Sequence, residues 1–395
     1  MAGRPTADLK TPDNLESFSL IGGPLHRMGC RLGLVRGGTD TVALGLALGL
    51  ILWTVLAVLA LTGGVAHRLF ALTALGVHVR LLVVIPLFFL CETWLDPRLT
   101  TFVSTIARSG LVPRNALPAL ESEIASTGRW RNSWLPDVVC LVVAALLSIY
   151  GTHLQLPGAS AAYDPSRAGA GVTMAGQWYW VVCLTSFRLL ILRWVWRLGL
   201  WSYFLWRVAK LDLHLVPTHP DGAGGLGYLE IVHTHFIPLV LAISAVEAAS
   251  FAEEISSGRM VFEAIYPTLA LVLVIDAALF LGPLLIFTPK LWACRVKGLS
   301  DYMEFAEGYV SGFERKWMGA DAAPGEPLLG TPDLQSLADL TNSVNVVRNM
   351  RWAPVSLRTV RDFAIAALAP ILPLILLKYP VAELAQKFFA RLAGM

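Results

Sequence analysis

Seven long apolar stretches, separated by polar segments, are the feature that most limits how this chain folds. Each has roughly the twenty residues that an α-helix needs to cross the ~30 Å hydrocarbon core of a bilayer. The stretches are approximately Thr41–Gly63, Val79–Leu95, Leu135–Gln155, Gln177–Trp206, Ile231–Ser250, Ala264–Thr288 and Asp362–Lys378. Because their apolar residues are continuous rather than alternating, they indicate membrane helices and not barrel strands. The second and seventh are short and contain proline, so they can also kink or enter the bilayer without crossing it.

The composition agrees with a membrane protein, since 15% of the residues are charged and 55% are hydrophobic. Soluble domains usually contain about 25% charged residues. The sequence therefore predicts an all-α, polytopic membrane bundle of about seven transmembrane helices, with cytoplasmic amphipathic helices between the sixth and the seventh. The predicted parts are a cytosolic tail (1–40), a membrane domain (41–288) with a glycine-rich cytoplasmic loop (211–230), a cytoplasmic helical segment (289–361) and a last membrane helix with a short tail (362–395).

The basic residues predict the orientation. With the N-terminus inside, 21 of the 31 Lys and Arg residues fall on the inner side, and seven fall on the outer side. Cytoplasmic loops carry such an excess of positive charge, so we expect a cytoplasmic N-terminus. The first apolar stretch is too long and too far from the start for a cleavable signal peptide. The five cysteines have no paired spacing and indicate neither a disulfide framework nor a cysteine metal site.

A polar loop, Pro217–Gly227, lies between two of the stretches and is the first candidate site. Its candidate ligand residues are His219, Asp221, Gly222, Gly224, Gly225 and Gly227. The loop formally matches G-x-G-x-x-G, but it follows a membrane helix and lacks the βαβ unit of a dinucleotide site. Glycines let backbone N–H groups converge on an anion, and a helix N-terminus follows. The open readings are an anion, lipid-headgroup or metal site and a tight structural turn capped by Asp221.

Metal binding and catalysis have weaker support. His219, Asp221, His233 and His235 are weak candidate metal ligands. His233 and His235 are two residues apart, so on a regular helix their rings point about 200° away from each other and cannot both bind one metal ion. No catalytic motif occurs in the sequence, so no catalytic residue is assigned, no cofactor is indicated and a non-enzymatic role is favoured over an enzyme. Nothing indicates binding to nucleic acid.

Charged residues within the apolar stretches form the second candidate site. Asp276, Glu92, Glu247 and Arg188 are predicted to line a polar intramembrane path, with Arg188 as the partner of Asp276. A charge at the centre of a membrane helix costs at least about 2.5–3.5 kcal/mol unless it is paired or neutralised. The alternative reading is a buried salt bridge that holds helices together.

Two amphipathic helices are predicted in the segment 289–361. Leu299–Trp317 carries aromatic residues every three or four positions, and Leu334–Met350 carries an aliphatic face. Two readings are open: the helices dock under the bundle, or they bind a separate partner.

The chain resembles a group of uncharacterised bacterial multi-pass inner-membrane proteins with a Pro-Thr-His-Pro-Asp-x-Ala-Gly-Gly-Leu-Gly loop, here Pro217–Gly227. The stretches Gln335–Ser343 and Val346–Arg351 are similar to the same group. The resemblance implies the inner membrane of a bacterium and supplies no catalytic residues. The favoured function is a channel, transporter or sensor for a small ion or solute. The alternatives are an enzyme or binding protein for a lipid or isoprenoid phosphate at the loop, with an anionic lipid or phosphate as ligand, and a non-transporting scaffold. A homo-oligomer is compatible with all three.

Overall fold

The computed structural model describes residues 18–22, 24–35, 40–150, 173–318 and 332–378, which are helical and contain no β-strand. The helices are α1 (Pro24–Arg31), α2 (Val42–Thr62), α3 (Leu72–Arg108), α4 (Leu117–Asn132), α5 (Leu135–Tyr150), α6 (residues 174–210), α7 (Gly227–Ser256), α8 (Phe262–Phe280), α9 (Thr288–Trp317), α10 (Pro332–Arg348) and α11 (Leu357–Lys378). The all-helical prediction is confirmed.

Five of these helices, α2, α3, α7, α8 and α11, are long and apolar enough to cross a membrane. The pair α4 and α5, bent by 44°, gives a sixth span if the two helices form one unit. The predicted fourth stretch lies in α6, which is less apolar because Arg188, Arg193 and Arg197 lie along it. The end of the predicted third stretch, residues 151–155, lies outside the described residues, as do most of the predicted N-terminal tail and residues 379–395.

The helices α3 and α6 lie side by side and run in the same direction. Their contacts occur in the same order along both helices. Arg80 contacts Tyr179, Phe88 stacks on Phe187, and Phe102 packs edge-on against Trp201. This parallel pair therefore brings together polar and aromatic residues that are about a hundred positions apart in the sequence.

Each helix of the pair contains a π-helical segment, Val79–Val84 in α3 and Tyr179–Leu184 in α6. The two segments meet through the hydrogen bond from Arg80 to Tyr179. Such π-helical turns are rare and occur frequently at functional sites. Regular α-helix continues on both sides of each π-helical segment. The contact between Arg80 and Tyr179 is therefore a candidate functional position in the bundle.

Helix α2 packs closely against α3 because Gly45 and Gly49 lie on the contact face. A Cβ atom at Gly49 would lie 2.2 Å from the backbone carbonyl oxygen of Leu81, and one at Gly45 would lie 2.6 Å from the ring of Phe89. Small residues four positions apart let membrane helices approach closely.

We expect Gly49→Ala to destabilise the protein, because its neighbour is backbone and cannot rotate away. Overpacking of this kind costs about 1–3 kcal/mol. Gly199→Ala in α6 is the matched control, since nothing lies within 4 Å of a Cβ there. Thermal unfolding of both variants in the same detergent checks the difference. Equal melting temperatures for the two variants would contradict the close α2–α3 contact.

The segment 289–361 forms two helices that pack on each other, α9 and α10, and its prediction as a helical pair is confirmed. Their ends nearest the bundle are held by packing of Gly298 against Pro217 and by the buried Met350. Part of the aromatic face of α9 contacts the start of α10, where Tyr309 and Trp317 donate hydrogen bonds to Asp333. Phe305 remains 64% exposed. Among the described residues, the pair contacts the bundle at the end near Gly298 and Met350.

Residues 18–22, within the predicted tail, enter the bundle. Phe18, Leu20 and Ile21 are buried, and Phe18 packs on Trp201 and Phe204. The segment fills space beside α3 and α6 that would otherwise open onto buried charges.

Candidate functional site

A buried ion pair between Glu92 of α3 and Arg197 of α6 is the centre of the first polar cluster. Both residues are 8% exposed. The hydroxyl of Thr41 donates a hydrogen bond to Glu92 Oε2 at 3.3 Å, and Arg197 also lies over the ring of Trp194. Each charge is therefore stabilised by more than one group.

The same cluster continues to Asp96 and Arg193, one helical turn away on each helix. Asp96 Oδ1 accepts hydrogen bonds from the Ser19 hydroxyl at 2.7 Å and from the Leu20 N–H at 2.9 Å. Arg193 forms an ion pair with Asp137 of α5 at 3.2 Å and donates to the Gly22 carbonyl at 2.9 Å. We name Glu92, Asp96, Arg193 and Arg197 the Glu92 cluster. Residues 18–22 occupy the space in front of it.

A second cluster lies at the two π-helical segments. Arg80 is 1% exposed, and its guanidinium donates to the Tyr179 hydroxyl at 2.7 Å and to the Ser250 hydroxyl at 3.4 Å. The carboxylate of Glu253 in α7 accepts the Gly76 N–H at 2.7 Å. A Cβ at Gly76 would meet both Glu253 and Arg80, so these charges share one small space. We name Arg80, Tyr179, Ser250 and Glu253 the Arg80 cluster.

Two stacked phenylalanines separate the clusters. Phe88 of α3 and Phe187 of α6 are buried, and their ring centres lie 6.2 Å apart. In sequence each lies between the Arg80 cluster and the Glu92 cluster. Arg80 and Glu92 are about 18 Å apart along α3 at 1.5 Å per residue. The parallel pair α3–α6 therefore carries charge, an aromatic barrier and charge again.

The four residues predicted to form one polar path lie in three places. Glu92 belongs to the Glu92 cluster. Arg188 donates to the Leu147 carbonyl at 2.6 Å and to the Ser148 hydroxyl at 3.0 Å. The predicted Asp276–Arg188 pair is wrong, because Arg188 points toward α5 whereas Asp276 lies in α8. Asp276 is 6% exposed, Glu247 is its charged neighbour, and its Oδ2 has no hydrogen-bond partner among the described residues.

Sequence reasoning missed the Arg80 cluster. Arg80 lies at the edge of the predicted second stretch, where counting of basic residues assigns it to an outer loop. The helix in fact begins at Leu72 and is apolar on both sides of Arg80. An apolar sequence that continues on both sides of an arginine is the signal that would have placed Arg80 inside the membrane helix.

The glycine-rich loop binds a carboxylate of its own chain. Asp221 accepts hydrogen bonds from the backbone N–H groups of Ala223 at 2.8 Å, Gly225 at 3.1 Å and Gly227 at 2.7 Å. Gly222, Gly224 and Gly225 have positive φ angles, a conformation that glycine adopts without strain. A Cβ at Gly227 would lie 2.7 Å from the Asp221 side chain. The convergent N–H groups expected to bind an anion are thus occupied by Asp221.

The loop favours the charged form of Asp221. Burial raises the pKa of the carboxyl, but the hydrogen bonds from Ala223, Gly227 and Gly225 and the contact with His219 outweigh it, so the pKa lies below its usual value. His219 Nδ1 lies 2.8 Å from Asp221 Oδ1. The anion that the backbone N–H groups of the loop bind is therefore the Asp221 carboxylate of the same chain.

Arg351 joins the loop to the start of α11. Its guanidinium donates to the Asp221 carbonyl at 2.8 Å and pairs with Glu230 at 2.5 Å, and its N–H donates to the Gly222 carbonyl at 2.8 Å. Glu230 also accepts the Ser356 N–H at 2.9 Å. Residues of Pro217–Gly227 and Val346–Arg351, which are far apart in sequence, therefore meet in one network.

The histidines predicted as weak metal ligands have separate partners. His233 is buried, with Nδ1 donating to the Phe280 carbonyl at 2.7 Å and Nε2 accepting from Trp201 at 3.1 Å. His235 donates to the Ile231 carbonyl at 2.7 Å and accepts from Arg98. Within the described ranges, no group of three or more His, Cys, Asp or Glu residues is arranged to hold a metal ion.

No protein-family model, no curated protein and no solved structure matches this chain. Its function is therefore inferred from its own residues and contacts.

Proposed function

We propose that this protein moves a small ion or solute across a bacterial inner membrane along the parallel helices α3 and α6. The observation that carries the proposal is the order of groups on this pair: the Arg80 cluster, the Phe88–Phe187 stack and the Glu92 cluster. In this arrangement the charged clusters are binding stations and the phenylalanines are a hydrophobic constriction between them.

Energetics support a functional reason for these charges. Ionisable groups in membrane helices are costly, face the protein interior and commonly mark ion or solute pathways. A buried ion pair is weak evidence for stability, because well-packed apolar residues often replace it without loss. Two buried charged clusters on one helix pair are thus better explained by passage of a charged or polar species than by stability.

Residues 18–22 are placed to control access to this path. The Leu20 N–H donates a hydrogen bond to Asp96, and the Gly22 carbonyl accepts one from Arg193. Leu20 also lies beside Arg197 and Glu92. In the proposed mechanism the segment closes the path at the Glu92 cluster, and its withdrawal frees these charges for the transported species. The closed arrangement also fits a sensor in which residues 18–22 open and close the path.

The lipid-phosphate alternative at the glycine-rich loop gains no specific support. Its backbone donors already bind Asp221, and Arg351 already pairs with Glu230. We propose instead that the loop is a clamp that joins the membrane bundle to α9, α10 and α11.

Ion flux into proteoliposomes under an imposed potential tests the proposal, with protein-free liposomes as control. We expect flux of at least one of H⁺, Na⁺, K⁺ and Cl⁻ above the control. Phe88→Ala should increase it severalfold, because the constriction loses one ring. Absence of flux for all four ions in both proteins would count against the channel.

We further propose seven spans, with α6 and α5 added to the five most apolar helices, and a cytoplasmic N-terminus. Cys30 is exposed, whereas Cys91 and Cys183 are buried. We expect a membrane-impermeant maleimide to label Cys30 in inside-out vesicles and not in right-side-out vesicles. A Cys30→Ser variant identifies the labelled site. Labelling of Cys30 only in right-side-out vesicles would reverse the proposed orientation.

A further inference from the structure

A groove outside the proposed path lies between α8 and the chain that leads into α11. Its walls are the end of α8, the short helical turn Gly282–Leu285, and residues 351–360. Its lining includes the small residues Ala277, Ala278 and Gly282 beside larger apolar side chains. Only 11% of the residues in the apolar part of α8 are buried by the protein. In a membrane the exposed face of α8 contacts lipid.

The charge of the groove is one-sided. Its lining includes Arg351 and Arg358 and contains no Asp or Glu. Arg351 already forms an ion pair with Glu230 and donates a hydrogen bond to the Asp221 carbonyl. Arg358 is exposed and forms no ion pair within the part of the chain that the structure describes. A cation without an acidic partner at the rim of an apolar groove is complementary to an amphipathic anion.

The groove also has the features of a membrane interface. Trp352 is 54% exposed and Leu357 is 89% exposed on its rim, next to Arg358. Tryptophan is enriched at the level of lipid headgroups, and arginine there contacts headgroup phosphates. From this we propose that the groove binds an anionic phospholipid, with one acyl chain on Ala278 and Leu281 and the phosphate on Arg358.

Native mass spectrometry of the delipidated full-length protein tests this site. Phosphatidylglycerol and phosphatidylcholine with identical acyl chains are added back separately, and the retained lipid is counted. We expect the wild-type protein to retain phosphatidylglycerol about fivefold better, which is the scale of one arginine at an anionic membrane surface. Arg358→Gln should lose this preference and keep the phosphatidylcholine level. Arg315→Gln, an exposed arginine of α9 that does not line the groove, should retain the preference.

A second pair of variants tests the acyl-chain part of the site. Ala278→Trp fills the groove and should reduce retention of both lipids, whereas Ala270→Trp makes the same change on α8 outside the groove. Equal retention of the two lipids by the wild type, or an unchanged preference in Arg358→Gln, would overturn the proposal. A dimer that Ala278→Trp dissociates would also overturn it and assign the groove to a second copy of the chain.

Discussion

Arg197→Gln should lower the free energy of unfolding by about 3–5 kcal/mol, because it leaves Glu92 buried without its cationic partner. The pair joins α3 to α6, and the Thr41 hydroxyl alone cannot replace the lost charge. The measurement is unfolding of the purified protein in one detergent, followed by circular dichroism. Glu92→Gln should have a similar effect, since it leaves Arg197 unpaired.

The double variant Glu92→Gln/Arg197→Gln separates the pair from its surroundings. We expect it to be more stable than either single variant, because neither unpaired charge remains. Arg129→Gln on the exposed side of α4 is a matched control, and its effect should stay within about 0.5 kcal/mol. Additive losses in the double variant would show that Glu92 and Arg197 act independently and would contradict the pairing.

Asp221→Ala should unfold the glycine-rich loop locally. Three backbone N–H groups lose their acceptor, and each buried donor left unsatisfied costs about 1–3 kcal/mol. Hydrogen exchange at Ala223, Gly225 and Gly227 should therefore accelerate strongly, while exchange in α2 and α3 stays unchanged. Asp212→Ala, an exposed aspartate five residues before Pro217, is the control.

Acid should have the same effect as this substitution. The pKa of Asp221 is lower in the folded protein than in the unfolded chain. Its stabilising contribution is therefore complete above the ordinary aspartate pKa and is lost as the pH falls through the folded-state pKa. Loop protection that does not change across this acid range would contradict the role given to Asp221.

The helical architecture could be predicted from the sequence because hydropathy records each membrane helix directly. Val42–Thr62 agrees closely with its predicted stretch, whereas Phe262–Phe280 ends eight residues before the predicted end at Thr288. The ends of the second stretch could not be predicted, because α3 continues through Arg80 at one end and Pro97 at the other. Hydropathy treats both residues as boundaries, whereas tertiary partners satisfy Arg80 inside the bundle.

The candidate site was less accessible to sequence reasoning. Glu92 was identified because it lies within an apolar stretch, but the sequence did not identify its partner, Arg197. Pairing depends on which faces of α3 and α6 meet, and that depends on the parallel packing of helices far apart in sequence. The glycine-rich loop was correctly identified as a place where N–H groups converge, while its anion is supplied by the residue expected to assist a ligand.

The most direct test of the proposed path compares ion flux through three proteins in matched proteoliposomes: wild type, Glu92→Gln/Arg197→Gln and Asp276→Asn. The double variant keeps a neutral, folded pair, so a change in flux reports the lost charges and not unfolding. We expect it to lose at least about tenfold in rate, equivalent to ~1.4 kcal/mol in the barrier, while Asp276→Asn retains the wild-type rate. Unchanged flux in the double variant together with loss in Asp276→Asn would contradict the α3–α6 path and move it to α7 and α8.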